Sequence, residues 1–246
     1  MKQFKFLSSI AMGLIMTAFL NSCNQGEEKK ADEPTVTTTD TSTTKPMEPA
    51  PAAKPGNFLL IKHRVANYAK WLAAYESHDS TRLANGLTNY VLGRGVDGDS
   101  NTVLVALKMA DVNKAKELAA SPAMKERMQK GGVIGAPTMY FVEAVTMDTS
   151  TNSATTRVIM THKVKDWDAW KKEYDSHKQV RLDAGLVERS VGHIVDDNHM
   201  VTLVFAVTDM AKAKAFMASK DLKDKMTAAG VEGPPTIFYY NVAKKY

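Results

Sequence analysis

The chain repeats itself. Residues 58–97 align with 157–196 at an offset of 99, and residues 102–143 align with 200–241 at an offset of 98, one residue being lost from the loop between. Identical residues fill 27 of the 82 aligned positions. That density requires both halves to fold alike, because the same period, cap and turn signals recur in register. Shared landmarks are His63/His162, Trp71/Trp170, Tyr75/Tyr174, His78/His177, Arg82/Arg181 and Gly86/Gly185, then Asp111/Asp209, Ser121/Ser219, Gly135/Gly233 and Pro137/Pro235.

Each copy opens on a short apolar run, Phe58–Val65 or Val158–Val164, of strand length. Asn67 or Asp166 then suits a helix N-cap. The stripe that follows is Tyr68, Trp71, Tyr75, His78, Arg82 in copy one and Trp167, Trp170, Tyr174, His177, Arg181 in copy two. Its 3, 4, 3, 4 spacing predicts one helix face, ended by a C′ glycine at Gly86 or Gly185. Two strands are predicted next (Asn89–Gly93 and Thr102–Met109; Glu188–Ile194 and Met200–Val207), joined by the turns Asp97-Gly98 and Asp196-Asp197-Asn198. Asp111 and Asp209 suit caps of a second helix, and Ser121 and Ser219 suit caps of a short third one. A last strand is predicted over Thr138–Val145 or Thr236–Val242.

The order βαββαβ is that of a ferredoxin-like unit, an antiparallel sheet with helices on one face. Both sides of the strands are nevertheless apolar, as in Leu60/Ile61, Val204/Phe205 and Phe238/Tyr239. The bare face therefore needs a cover, and the other copy can supply it, since the polar linker 146–154 reaches about 30 Å when extended. The expected architecture is α+β: two ferredoxin-like repeats, 57–145 and 155–246, packed sheet to sheet as an intramolecular pseudo-dimeric α+β barrel. The pattern Asp166-Trp167-Asp168-Ala169-Trp170, His177, Arg181, Ala184-Gly185, Ala213-Lys214-Ala215-Phe216, Ser219 and Gly233-Pro234-Pro235-Thr236 resembles the dimeric α+β barrel superfamily, which includes antibiotic-biosynthesis-monooxygenase-like proteins. Copy one departs from it at Leu118, opposite Phe216, and at Ala136, opposite Pro234. The resemblance implies a ligand cavity between the two sheets. It implies no single activity, because the superfamily holds monooxygenases, isomerases, haem proteins and binders.

The candidate ligand-binding residues are His63, Trp71, Tyr75, His78 and Arg82, with His162, Trp170, Tyr174, His177 and Arg181 in copy two. Aromatic rings stack on a ligand, an imidazole moves protons and a guanidinium holds an anion. The competing reading makes Trp and Tyr the buried stripe of an amphipathic helix and the Arg a partner of the helix dipole. No catalytic residue is singled out. The histidines lack metal-site spacing, so no metal is expected. Gly131-Gly132-Val133-Ile134-Gly135 and Gly230-Val231-Glu232-Gly233 lack the Lys-Ser/Thr ending of a phosphate loop and precede strands, so they read as turns and no cofactor is expected.

The N-terminal segment speaks to location. Lys2 and Lys5 precede an apolar run, Phe6–Leu20, which is short for a bilayer span of ~20 residues but suits a signal peptide. The run closes on Leu20-Asn21-Ser22-Cys23, which resembles the lipobox of bacterial lipoproteins. Residues 1–22 are thus expected to be a signal peptide, with Cys23, the only cysteine, as the lipidated residue and membrane anchor. The stretch 23–56 is poor in large apolar side chains and reads as a disordered tether spanning about 30 Å on average. Asn24 after the cysteine resembles outer-membrane lipoproteins, and Glu27-Glu28-Lys29-Lys30 resembles the charged signals of surface-exposed ones. With one cysteine, no intramolecular disulfide forms. Without residues 1–22 the chain carries 30 basic against 27 acidic residues, too even a balance for nucleic-acid binding.

Three functions follow as expectations. The first is an envelope-tethered module that binds a small molecule or assists other envelope proteins. The second is a cofactor-independent monooxygenase-like enzyme acting on a small aromatic or polyketide-like substrate. The third is a purely structural or interaction role.

Overall fold

Strand alternation decides where everything in this molecule goes. The computed structural model describes residues 55–96, 98–151 and 153–246. The expected signal peptide, Cys23 and the tether up to residue 54 lie outside them, as do Asp97 of the first hairpin turn and Asn152 of the linker. In β1 (Asn57–Val65), Leu59, Ile61 and Val65 face one apolar core, while Phe58 and Leu60 face another. Copy one continues with α1 (Tyr68–Ser77), α2 (Asp79–Ala84), β2 (Leu87–Gly95), β3 (Thr102–Met109), α3 (Val112–Ala120), α4 (Pro122–Lys130) and β4 (Val133–Met147). Copy two repeats the order as β5 (Thr156–Val164), α5 (Trp167–Ser176), α6 (Lys178–Asp183), β6 (Leu186–Ile194), β7 (Asp197–Val207), α7 (Met210–Met217), α8 (Lys220–Ala228) and β8 (Val231–Lys245).

The expected caps form. Asn67 accepts from the Lys70 amide at 3.0 Å and Asp166 from that of Ala169 at 2.8 Å. Asp111, Asp209, Ser121 and Ser219 each cap likewise, satisfying amides that the first helical turn leaves unpaired. Two expectations need correction. The stripe helix is not continuous, because it breaks at His78 and His177 into α1/α2 and α5/α6. The last strands are also longer than predicted. They start inside the glycine-rich turns, where Gly135 and Gly233 take φ of 73° and 72° beside irregularities in the pairing with β1 and β5. They also run on through Met147 and Lys245.

That extra length joins the copies. Along β4 the first part pairs with β1 and the end pairs with β6 of the other copy, Val142 opposite Ile194 through Met147 opposite Ser190. β8 does the same with β5 and β2. The sheet closes as β1-β3-β2-β8-β5-β7-β6-β4, an antiparallel barrel with both edges hydrogen-bonded. Inside lies one core shared by the copies, with Phe58, Leu60, Leu104, Val142, Ile159 and Tyr240 among its residues. Outside, each copy has its own core between sheet and helices, around Trp71 in one and around Trp170 in the other.

Candidate functional site

The sequence-nominated side chains gather, but not between the sheets. Position 63 shares its strand face with Leu59 and Ile61, which turn outward under the helices, so His63 joins Trp71 there. His63, Trp71, Tyr75, His78 and Arg82 line a cavity of about 90 Å³ between the copy-one sheet and its helices. His162, Trp170, Tyr174, His177 and Arg181 line its counterpart of about 80 Å³ in copy two. The ligand chamber expected between the sheets therefore does not contain them. Sequence reading missed the distal walls of these pockets. Leu118, Met124 and Met128 from α3 and α4 close one, and Phe216, Leu222 and Met226 from α7 and α8 close the other.

The aromatic stripe forms a continuous stack. Trp71 and Tyr75 lie 5.1 Å apart and Trp170 and Tyr174 lie 4.9 Å apart. The guanidinium of Arg82 sits 3.8 Å over the Tyr75 ring, and that of Arg181 sits 3.6 Å over Tyr174. Each also donates to the carbonyl of that tyrosine, at 2.7 Å and 2.5 Å, beside the backbone amide of His78 or His177 that the same carbonyl accepts. The counter-charge comes from different places. Arg82 pairs with Asp79 at 3.2 Å, whereas Arg181 approaches Glu188 at 3.8 Å, because Lys178 stands where copy one has Asp79. Both guanidinium groups are thus engaged inside the fold. Tyr75 donates to Asn89 and Tyr174 donates to Glu188, and burial holds both phenols above their ordinary pKa.

His78 and His177 sit at the break in the helix. The His78 Nδ1–H donates to the Ala74 carbonyl at 2.6 Å, which fixes the tautomer and leaves Nε2 as an acceptor. In copy two the acceptor role is filled, since Lys225 donates to His177 Nε2 at 3.0 Å.

His63 and His162 are different. They are only 6% and 5% exposed, each standing edge-on to a tryptophan, and neither nitrogen of either ring has a hydrogen-bond partner. Burial lowers both pKa values to about 4, so both rings are neutral at pH 7. A neutral imidazole carries one donor and one acceptor, and here both go unused in an apolar pocket.

Between the sheets lies a third cavity, of about 310 Å³, reached by sequence reasoning as a space but not in its residues. Phe58, Tyr90, Val91 and Leu104 of copy one line it, with Arg157, Arg189, Ser190 and Thr202 of copy two. The segment Asp148–Thr151 forms part of its rim, where Arg189 donates to Asp148 at 2.7 Å and to the Ser150 carbonyl at 2.8 Å.

No family model matches the chain, and no curated protein matches it. Solved structures do match. An anthrone oxidase-like protein superposes on 78% of this chain and 93% of its own, with a TM-score of 0.52 at 13% identity. A proposed monooxygenase of Fusobacterium nucleatum subsp. nucleatum matches over 78% of this chain and 94% of its own, with a TM-score of 0.51 at 12% identity. A proposed monooxygenase of Lactobacillus acidophilus NCFM matches over 78% and 95%, with a TM-score of 0.50 at 12% identity. At such identities the likeness is one of fold, and with the barrel closure it makes this chain a ferredoxin-like pseudo-dimeric α+β barrel.

Proposed function

We propose that the chain is an envelope lipoprotein, anchored through Cys23, that binds small and largely apolar molecules bearing one hydroxyl or N–H group. Two equivalent pockets beneath the helices take them. The observation that carries this reading is the pair of buried imidazoles, His63 and His162, whose nitrogens meet no protein partner. A buried polar group without a partner costs about 1–3 kcal/mol, and packing alone would be served better by leucine. The duplication nonetheless holds an imidazole at this position in both copies. A ligand hydroxyl would satisfy it, with the ring of the ligand against Trp71 and Tyr75 or against Trp170 and Tyr174. Cavities of about 90 and 80 Å³ suit a single ring.

The lowered pKa favours binding over catalysis at these two residues. Taking a proton from a phenol of pKa ~10 onto an imidazole of pKa about 4 is uphill by about 8 kcal/mol. A second reading, cofactor-independent oxygenation, draws on His78. Its Nε2 is an available acceptor among the described residues, and proteins of this fold include ones described as monooxygenases. Dioxygen uptake with an electron-rich phenol, abolished by His78→Gln, would establish that reading.

The binding reading is tested by titrating the full chain with p-cresol and with toluene. The expected result is two p-cresol sites, weaker toluene binding, loss of one site in His63→Leu and loss of both in the double variant with His162→Leu. Unchanged p-cresol binding in the double variant would refute it. The anchor is tested separately. Cys23→Ser should move the protein from the membrane fraction to the soluble one, and continued acylation of that variant would refute the assignment.

A further inference from the structure

The duplication has been edited unevenly, and the edits converge on the chamber inside the barrel. At three aligned positions that line it, copy one keeps an apolar residue where copy two has a polar one: Phe58 against Arg157, Val91 against Ser190 and Leu104 against Thr202. A pseudo-symmetric cavity of about 310 Å³ has thereby gained polar side chains among the apolar residues of its copy-two wall. Arg157 is 6% exposed, and its Nη1 donates to the carbonyls of Ala154 and Thr156. Among the described residues no carboxylate forms an ion pair with it. The neighbouring Arg189 already has Asp148. Thr202 is 3% exposed, and its hydroxyl, buried in the same wall, has no hydrogen-bond partner. A guanidinium taken out of water without a counter-ion is costly, and its planar array of donors matches a carboxylate.

We infer that the chamber between the two sheets is a binding site, distinct from the helix-covered pockets, for a small amphipathic monocarboxylate. Its carboxylate pairs with Arg157, and its apolar body lies against Phe58, Val91 and Leu104. One negative charge balances the buried Arg157 guanidinium, which is what a monocarboxylate supplies. The chemistry is shared by medium-chain fatty acids and by alkyl-substituted aromatic acids. The phenyl ring of Phe58 and the volume of the chamber accommodate either.

The test is calorimetric titration of the full chain with decanoate, with 4-butylbenzoate and with the matched neutral alcohols, decanol and 4-butylbenzyl alcohol. At least one acid is expected to bind at one site per chain and at least tenfold more tightly than its alcohol. The acid that binds more tightly identifies the source as aliphatic or aromatic. Arg157→Leu should remove the preference of acid over alcohol, whereas Arg157→Lys should keep most of it. Arg157→Gln, a smaller and uncharged polar change that protects the test should Arg157→Leu not fold, should likewise lose the preference for the acid and leave the alcohol unchanged. His63→Leu with His162→Leu should leave acid binding intact, which separates this site from the helix-covered pockets. Absence of acid binding, equal affinity for acid and alcohol, or a preference that persists in Arg157→Leu would overturn the inference.

Discussion

The imidazole of His63 stands edge-on to the indole of Trp71, with ring centroids 5.5 Å apart and no hydrogen bond at either ring nitrogen. The same relationship recurs between His162 and Trp170. It makes stability depend on pH with a definite sign. The ordinary pKa is 6.5 and burial lowers it to about 4 in the folded chain. Between those values the unfolded chain takes up a proton that the folded chain refuses, so stability falls as pH drops from 6.5 towards 4 and then levels off. At full extent the loss is about 3 kcal/mol per histidine. Urea unfolding at pH 7.5, 5.5 and 4 should show it, and the double variant His63→Leu/His162→Leu should lose markedly less than the parent over that range. Parallel pH profiles would refute the assignment.

The same pair should reveal a conflict between stability and binding at neutral pH. Replacing an unsatisfied buried imidazole by leucine, of similar size, is expected to stabilise the unliganded fold by about 1–2 kcal/mol per site. In thermal unfolding at pH 7.5 each substitution should raise Tm by several degrees. A lowered Tm would mean that ordered water satisfies these nitrogens, and that they are not held ready for a ligand.

Local chemistry made most of the fold legible. The caps at Asn67, Asp111, Ser121 and their copy-two equivalents depend on a side chain and an amide three residues away, so sequence suffices to place them. The doubly apolar strands demanded a second cover, and Leu60 and Val204 do face the other copy. The break at His78 was not legible. The stripe spacing continues through it, and what stabilises the break is a contact across seven residues, Arg82 to the Tyr75 carbonyl. The pocket was misplaced for a related reason. Alternation does put His63 with Leu59 and Ile61, but the gap above them depends on how Met124 and Met128 of a separate helix pack. The polar side chains of the chamber could have been found in the repeat itself. A search for identities passes over Phe58/Arg157 and Leu104/Thr202, where a search for changes of polarity would stop.

Arg82 and Arg181 cannot be exchanged for lysine without loss, despite the retained charge. Each guanidinium stacks on a tyrosine ring while donating to that tyrosine's carbonyl and meeting a carboxylate. A lysine ammonium is a point charge and meets at most part of this set. Arg82→Lys and Arg181→Lys should each cost about 2 kcal/mol in denaturant unfolding. The carboxylates divide between the copies. Asp79→Asn, which also disturbs the contact of that carboxylate with Asn89, should cost less in an Arg82→Met background than in the parent and should add independently to Arg181→Met, with Glu188→Gln behaving in the reverse way. Double-mutant cycles read this directly, and a coupling between Asp79 and Arg181 would contradict the pairing described.

The seam between the copies has a weak point at Gly192. A Cβ built there would lie 2.2 Å from the Glu143 carbonyl oxygen and 3.0 Å from the Ala144 Cα, both on β4 of the other copy. The obstacle is backbone, which cannot rotate aside, and it lies where Ala144 pairs with Gly192. At the equivalent Gly93 the obstacle is the ring of Tyr240, a side chain, and at Gly56 nothing lies within 4 Å. Gly192→Ala should therefore cost more than the 1–3 kcal/mol of ordinary overpacking, roughly 3 kcal/mol or above. Gly93→Ala should also be costly, because the Tyr240 ring it meets is buried and rigid, but should show itself mainly at Tyr240, and Gly56→Ala should be near neutral. Because the damage falls on the β4–β6 hydrogen bonds, hydrogen exchange of Gly192→Ala should be fastest at the amides of residues 142–147 and 190–194, with the β1–β3 amides still protected. Uniform loss of protection across the barrel would show that the two copies unfold as one unit, with no separable seam between them.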